Sequence, residues 1–492
     1  MSRERVHLLA YAERLGGDIE GVADLLDGPL SVFGGVHLLP FFVPFDGDDA
    51  GFDPIDHASV DSRLGTWDDV RRIASDREVT ADLIVNHVSS GSAEFIDWLE
   101  KQELSAHDGM FLTFDTVFPE GASEDEITAF YRPRPGLPFT AYRSADGRRR
   151  LVWTTFMPSQ VDLDVRHPAA VAHLDRLLKT LADGGVSTVR LDAVGYAVKT
   201  PGSDSFMTAE TLDFVRDITA LGRKHGLRVL VEVHAHYSQQ FAIAPLVDLV
   251  YDFALAPLLM HSLITGTTDR LAHWLEIRPR NAVTVLDTHD GIGVIDAGPS
   301  GEREGLISFE EMRTIFDYAA VATGGHSTIA SVLPAWTALP HQINATFFSA
   351  LGADEDAYLL CRAVQLFLPG VPQIYYVGLL GGLDDTGLFA RTGQGRDVNR
   401  HLYSGDELRD ALTGAVPQAI LGLVRLRNDH EAFDGDFSFE ADERTLRLRW
   451  SDGTAFAQLE ARFDAGAPSF SIVVSREGGE RHFASLPDLA TV

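Results

Sequence analysis

Three acidic residues stand at the ends of apolar runs, where a hydrophobic core has no use for them: Asp192 in VRLDAVGY, Glu232 in VLVEVHAHY and Asp290 in VTVLDTHD. One such acid is as often only the N-cap of the next helix, since turns from strand to helix favour Asp there. Three in succession point to chemistry, and their neighbours divide the roles. Arg190 lies two residues before Asp192, on the same face of an extended strand, so a guanidinium there would hold Asp192 ionised with a lowered pKa, as a nucleophile requires. Glu232 is flanked by Val231 and Val233, so loss of water should raise its pKa and keep it protonated, as a general acid requires. Asp290, beside His289, is then the group that stabilises positive charge developing on a sugar ring. Two carboxyls with pKa values driven apart are what glycosidic bond cleavage needs, and a separation of about 5–5.5 Å would mean retention through a covalent glycosyl-enzyme.

A rival reading starts from His234 and His236, whose HxH pattern with nearby acids is compatible with a metal hydrolase built on a barrel. HxH is a weak signal in a chain with 18 His, and an Arg two residues before an Asp has no place among metal ligands. A noncatalytic binding protein is the third reading. Metal analysis and turnover of an α-glucoside separate the three.

The elements that must position these residues are legible as short β-branched or apolar runs, each followed by a stretch of helical period. The expected strands are VHLLAYA from Val6, GVHLLP from Gly35, ADLIVNH from Ala81, STVRLDAVGY from Ser187, RVLVEVH from Arg228, LVYDFAL from Leu249, AVTVLDTHD from Ala282 and QIYYVG from Gln373. Eight of them imply an α/β chain with a closed (β/α)8 TIM barrel. About 100 residues separate the third strand from the fourth and about 80 the seventh from the eighth, where a connecting loop of two to six is usual. Both insertions leave the C-terminal ends of strands, the face on which such barrels build active sites. After AILGLVRLRNDHEAF the pattern turns to alternation, as in TLRLRW and FSIVVSRE, an antiparallel β domain. The expected division is barrel domain A over 1–86, 167–290 and 356–433, domain B over 87–166, domain B′ over 291–355, and the C-terminal β domain over 434–492.

Composition bounds the partners. The chain has 492 residues, 45% of them hydrophobic, enough for a large core. With 72 acidic against 41 basic side chains the net charge is −31, which excludes partners held by counterion release, so neither nucleic acid nor an anionic membrane surface is expected. Four of the basic residues are lysines (Lys101, Lys179, Lys199 and Lys224) and the rest are Arg, a bias that genomic base composition explains. Any anion site here should then be built from Arg, which grips phosphate bidentately. Cys361 is the single cysteine, so no intrachain disulfide forms and a buried structural thiol is expected. MSRERVHLLAYAERLGG lacks the apolar core of a secretory signal, and SVFGGVHLLPFFVPF is too short and Pro-broken to span a bilayer. The expectation is a cytoplasmic protein acting on small molecules, for which a homodimer is allowed.

The ordered motifs DLIVNH, VRLDAVGY, VLVEVH and LDTHD resemble those of glycoside hydrolase family 13, the α-amylase family. Within it, FFVPFDGDDAGFDPIDH, FYRPRPGLPF, VTVLDTHDGIGVID, LPGVPQIYYVG and GRDVNRH are similar to the sucrose phosphorylases, and together they run from near the start to about residue 430. The resemblance implies a barrel with domains B and B′ inserted and a β-rich C-terminal domain. It implies a retaining double displacement with Asp192 as nucleophile, Glu232 as acid/base and Asp290 as transition-state stabiliser. It also implies that Asp49, Phe52, His87, Arg190, His289 and Arg400 hold the glucosyl ring, with neither cofactor nor structural calcium. Phosphate must approach beside Glu232, and two unit charges 4 Å apart in an effective dielectric near 20 repel by about 4 kcal/mol. Arg132, Arg134 and His234 are the candidates to offset this, or else the two arginines are solvated loop charges.

The acceptor loop departs from the pattern. Where the sucrose phosphorylases carry Leu-Asp-Leu-Tyr-Gln, this chain has Ala338-Leu339-Pro340-His341-Gln342, so the Asp and Tyr become Leu339 and His341 while Gln342 is kept. Losing a carboxylate and gaining a potential cation suits an anionic acceptor. With Arg134 this resembles the sucrose 6-phosphate phosphorylases, which use an Arg and a His around the phosphate of fructose 6-phosphate. The expected reaction is reversible phosphorolysis of sucrose 6-phosphate to α-glucose 1-phosphate and fructose 6-phosphate, with action on sucrose as well. Plain sucrose phosphorylase is the alternative, and a glucosylglycerate-type phosphorylase a further one.

Overall fold

The computed structural model describes residues 4–132, 136–331, 339–476 and 479–492. Eight parallel strands hydrogen-bond in a closed ring: β1 (His7–Ala10), β2 (Gly35–Leu38), β3 (Glu78–Ile84), β4 (Thr188–Asp192), β5 (Arg228–Val231), β6 (Leu249–Asp252), β7 (Ala282–Thr284) and β8 (Val371–Tyr375). Each strand pairs with the next in sequence, and β8 closes on β1. These are the eight apolar runs of the sequence, so the (β/α)8 expectation holds. The helices between them start at side-chain caps. Asp18 accepts the Gly21 N–H at 2.7 Å to open Ile19–Asp27, whose inner face buries Ile19, Val22, Ala23 and Leu26. Thr66 and Asp69 form a reciprocal capping box before Trp67–Ala74. Cys361 is fully buried in Glu355–Phe367, and burial pushes its thiol well above the ordinary range, which leaves it a packing residue.

A barrel interior is normally filled by branched apolar side chains. Here His37, Asp82, Arg190, Tyr251 and Gln373, contributed by β2, β3, β4, β6 and β8, are all buried. They satisfy one another. Asp82 receives Arg190 Nη1 at 2.5 Å and faces His37 Nε2 at 3.0 Å, while Gln373 lies 3.5 Å from His37 and accepts the Tyr251 hydroxyl at 3.2 Å. Buried polar groups persist only when paired. The register sets Arg190 directly opposite Asp82, so the guanidinium is fixed beneath the strand ends.

Between β3 and β4 the chain adds two small antiparallel pairs, His87–Ser89 with Gln160–Asp162 and Phe139–Arg143 with Arg149–Trp153, around a local core of Leu112, Val117, Phe118 and Trp153. Lys199 ties this insertion to the barrel. Its buried ammonium reaches Asp162 Oδ2 at 2.7 Å, Asn86 Oδ1 at 2.9 Å and the Tyr196 carbonyl. Removing one partner of such a pair strands a buried charge. Lys199→Met is therefore expected to lower unfolding free energy by about 3 kcal/mol, measured by urea denaturation.

Between β7 and β8, Ile292–Gly293 pairs antiparallel with Gln342–Ile343, and Phe309–Ala322 forms the longest helix of the described part of that segment. Beyond the helix Ala415–Asp429, strands β9 (Asp436–Ala441), β10 (Thr445–Asp452), β11 (Ala455–Arg462), β12 (Ser469–Arg476) and β13 (Gly479–Phe483) form an antiparallel meander. Burial alternates along β10 and β11, and the Trp450 indole donates to the Phe367 carbonyl at 2.6 Å, docking the sheet on the helix before β8.

Candidate active site

Asp192 is the last residue of β4 and Glu232 the first beyond β5, its N–H reaching the Leu191 carbonyl at 3.3 Å. Ala193 turns the chain away at once in a left-handed conformation (φ 55°), a strained setting for a residue with a Cβ. Asp290 sits in a tight turn closed by reciprocal hydrogen bonds between Thr288 and Gly291 at 3.0 and 3.1 Å. Gly291 has φ 105°, and a Cβ there would lie 2.5 Å from the Ile343 carbonyl, so only glycine lets the turn approach the Gln342–Ile343 strand.

The acids converge on shared cations. Arg190 Nη1 lies 2.8 Å from Asp192 Oδ1 and its Nη2 3.9 Å from Glu232 Oε1. Asp290 meets Arg396 Nη1 at 2.9 Å, His289 Nε2 at 3.4 Å and Arg400 Nη2 at 3.8 Å. His234 bridges Glu232, 3.4 Å from Nε2, and Asp296, 3.3 Å from Nδ1. His234 Nε2, His289 Nδ1 and Arg400 Nη2 are buried with no hydrogen-bond partner among the described residues. An unmade buried hydrogen bond costs about 1–3 kcal/mol, a penalty that a polyhydroxylated ligand would relieve.

The electrostatics correct one expectation. Burial pushes the Asp192 carboxyl up to about 8, the charges of Glu232, Asp82 and Asp290 add to it, and Arg190 opposes without prevailing. One guanidinium shared among Asp82, Asp192 and Glu232 is too little to hold Asp192 low. Burial therefore biases Asp192, next to Glu232, toward its protonated form. Asp290 behaves oppositely. Burial disfavours its charge, yet Arg396, His289, Arg400 and Arg190 together hold it far below the usual carboxylate range. His234 is disfavoured as a cation by burial, but the hydrogen bond and charge of Asp296, with Glu232 and Asp290, raise it to about 9. Burial lowers His289 to about 3 and also lowers His87, so both are neutral imidazoles.

Glu232, His234 and Asp290 bring three ligand-type atoms within 4.8 Å of one another. The donor set does not fit a metal ion, because His234 is protonated at neutral pH and a guanidinium already sits 2.9 Å from Asp290. His236, the other member of HxH, faces Ser238 Oγ at 2.8 Å and the Glu304 carbonyl at 2.9 Å, a structural use.

The residues expected to hold a sugar ring gather around these acids. Phe52 stacks on His289 with centroids 5.1 Å apart and planes 7° apart, and Arg190 lies over the same phenyl ring at 5.6 Å. His87 Nε2 is 3.1 Å from the Phe52 carbonyl, and Arg400 Nε donates to the His289 carbonyl at 3.0 Å. Asp49 has left-handed backbone (φ 53°) and lies 3.4 Å from Arg396.

On the other side of the site the expectations fare less well. Arg132 donates to the carbonyls of Thr154, Thr155, Leu137 and Phe156, with 2.9 Å to Thr155. These bonds make it a clamp on its own loop rather than a freely solvated charge. Arg134 lies outside the described residues. Gln342 spends its amide N–H groups on the Asp290 carbonyl and on Asn344 Oδ1 at 2.8 Å, bracing the Asp290 turn. The His341 ring lies 6.4 Å from that of Tyr131, and its carbonyl accepts the Val294 and Ile295 N–H groups at 3.3 Å each. Burial, and the positive His234 nearby, lower His341 below its ordinary value, so it is a neutral imidazole near neutral pH and not the cation expected.

Asp82, Arg396 and Asp296 were missed in the sequence. Asp82 was visible as an acid inside the apolar ADLIVNH, Arg396 as the first Arg of GRDVNRH, and Asp296 as the acid in GIGVIDAG. Which partner each would meet was not visible.

Residues 6–241 match the model of the alpha-amylase catalytic domain. The chain is 47% identical over 468 residues to a sucrose phosphorylase of Agrobacterium vitis, covering 94% of this chain and 96% of that one. It is 37% identical over 459 residues to a sucrose 6(F)-phosphate phosphorylase of Thermoanaerobacterium thermosaccharolyticum, covering 91% and 92%. The crystal structure of sucrose 6F-phosphate phosphorylase from Thermoanaerobacter thermosaccharolyticum superposes with a TM-score of 0.90 at 34% identity, covering 99% of this chain and 98% of that one.

Proposed function

This chain belongs to the α-amylase family and, within it, to the sucrose phosphorylase group, and from that premise we propose that it is a retaining glycoside phosphorylase. Asp192 attacks C1 of the glucosyl unit while Glu232 gives a proton to the leaving oxygen, and the ionised Asp290 stabilises the positive charge in between. Phosphate then takes the glucosyl group from Asp192 on the same face, giving α-glucose 1-phosphate. Asp49, Phe52, His87, Arg190, His289 and Arg400 hold the glucosyl ring.

The observation that carries phosphorolysis rather than hydrolysis is His234, an imidazolium 3.4 Å from Glu232. It offsets the repulsion of about 4 kcal/mol that an unscreened phosphate would meet there. The donor step needs one proton on the Asp192 and Glu232 pair. That proton is present below about pH 8 and lost above it. The pH profile of kcat/KM for the donor is accordingly expected to fall on its alkaline side with a midpoint near 8, read from initial rates.

For the acceptor we propose fructose 6-phosphate, making sucrose 6-phosphate the donor, with sucrose also accepted. His341, in place of the tyrosine of the sucrose phosphorylases, supports this, since an arriving phosphate dianion favours its protonation. His341→Tyr is expected to cut kcat/KM for sucrose 6-phosphate about tenfold, one charge-assisted hydrogen bond, with little change for sucrose. Equal losses would make His341 structural. Plain sucrose as the main substrate is the second reading, favoured by the 47% identity to a sucrose phosphorylase and by the lowered proton affinity of His341. Glucose 1-phosphate release from each donor, with and without inorganic phosphate, tests both. A higher kcat/KM for sucrose overturns the fructose 6-phosphate assignment.

A further inference from the structure

Asp296 is fully buried on the turn Ile295–Ala297 beyond β7, outside the set of residues that would touch substrate. Its Oδ2 faces His234 Nδ1 at 3.3 Å, its Oδ1 accepts the Ala235 N–H at 3.2 Å, and its carbonyl accepts the Tyr237 N–H at 2.9 Å. The segment after β5 is thereby stitched to the segment after β7. The His234 ring is held flat against Phe253, with centroids 3.9 Å apart. Gly293 completes the arrangement. A Cβ there would lie 3.0 Å from Asp296 Oδ2 and 3.3 Å from the His234 ring, so a side chain would press the pair apart. The backbone of His341 anchors the same turn through Val294 and Ile295.

Resting on the phosphorylase reading, we infer that Asp296 is a positioning residue that keeps His234 an imidazolium directed at Glu232, and that this pair decides whether phosphate or water takes the glucosyl group. With a phosphate monoanion, a P–O–H oxygen bonds to C1 as the C1–O bond to Asp192 breaks. That electron pair returns to Asp192 and the proton passes to Glu232, restoring the acid. Water reacts by the same exchange but is neutral, so it gains nothing from a cation at His234. The charged or titratable groups facing His234 are Glu232 and Asp290 from the strand ends, Asp296, and His341 across the site. The three acids favour its protonation and His341, when charged, opposes it. Asp296 is the acid among them that the proposed reaction does not use.

The test is the ratio of glucose 1-phosphate to glucose formed from sucrose 6-phosphate or sucrose at fixed inorganic phosphate. Asp296→Asn is expected to lower that ratio at least tenfold while hydrolysis without phosphate changes less than threefold. The alkaline fall of the ratio, near pH 9 in the native protein, should move down by at least one pH unit. Gly293→Ala should act in the same direction, and in a His234→Gln background Asp296→Asn should add no further loss of selectivity. Titration of ring-labelled His234 by NMR provides a readout without turnover, with a lower midpoint expected in Asp296→Asn. An unchanged ratio with both rates reduced alike, or an unchanged midpoint, overturns the proposal. A native protein that forms no glucose 1-phosphate instead overturns the phosphorylase reading, a failure visible before any variant is made.

Discussion

Asp192→Asn is expected to reduce turnover of every α-glucoside by about 10⁴-fold or more, equivalent to roughly 5 kcal/mol of lost transition-state stabilisation. The size follows from chemistry. With no carboxylate to form the glucosyl ester, the reaction must proceed by direct displacement in a site whose acid and base lie on one face of the sugar. The fold should tolerate the change, because Arg190 keeps Asp82 at 2.5 Å and the amide is isosteric. Rapid-quench mass analysis should find a glucosyl adduct in the native protein and none in the variant. Retained turnover with an intact circular dichroism spectrum would refute the double displacement.

Glu232→Gln should cost about 10³-fold with sucrose or its 6-phosphate, within the range of one positioned general acid. The loss should be donor-specific. α-Glucosyl fluoride departs without protonation, so its first step should fall far less. Equal losses on both donors would mean that Glu232 shapes the site rather than moving a proton. The variant also leaves His234 beside a neutral amide at 3.4 Å, which removes one of the charges holding the imidazole protonated. The phosphate step is therefore expected to lose rate at lower pH than in the native protein, measured with the fluoride donor.

The eight strands were readable because apolar runs of strand length recur with helical stretches between them, and burial in a closed parallel sheet demands that pattern. The acids were readable because Asp192, Glu232 and Asp290 interrupt those runs where nothing in a core wants a charge. Arg190 was assigned correctly to the face of Asp192, since alternation along a strand is a local rule. Its electrostatic effect was not, because Asp82 stands opposite it on a neighbouring strand 108 residues away and claims part of its charge.

The other corrections share that cause. Arg132 meets four carbonyls that approach only when its loop closes, a clamping role that residue type alone did not reveal. His341 is a potential cation by type, yet burial and the charge on His234 keep it neutral. Asp296 lies 62 residues from His234 and meets it because segments from two strand ends converge. Residue type, periodicity and strand register are properties of the chain, and they specify the barrel and the identity of its acids. Proton affinity and hydrogen-bond partnership are sums over neighbours in space, so the charge state of Asp192, His234 and His341 is set when the strand ends and both insertions close around the same few ångströms.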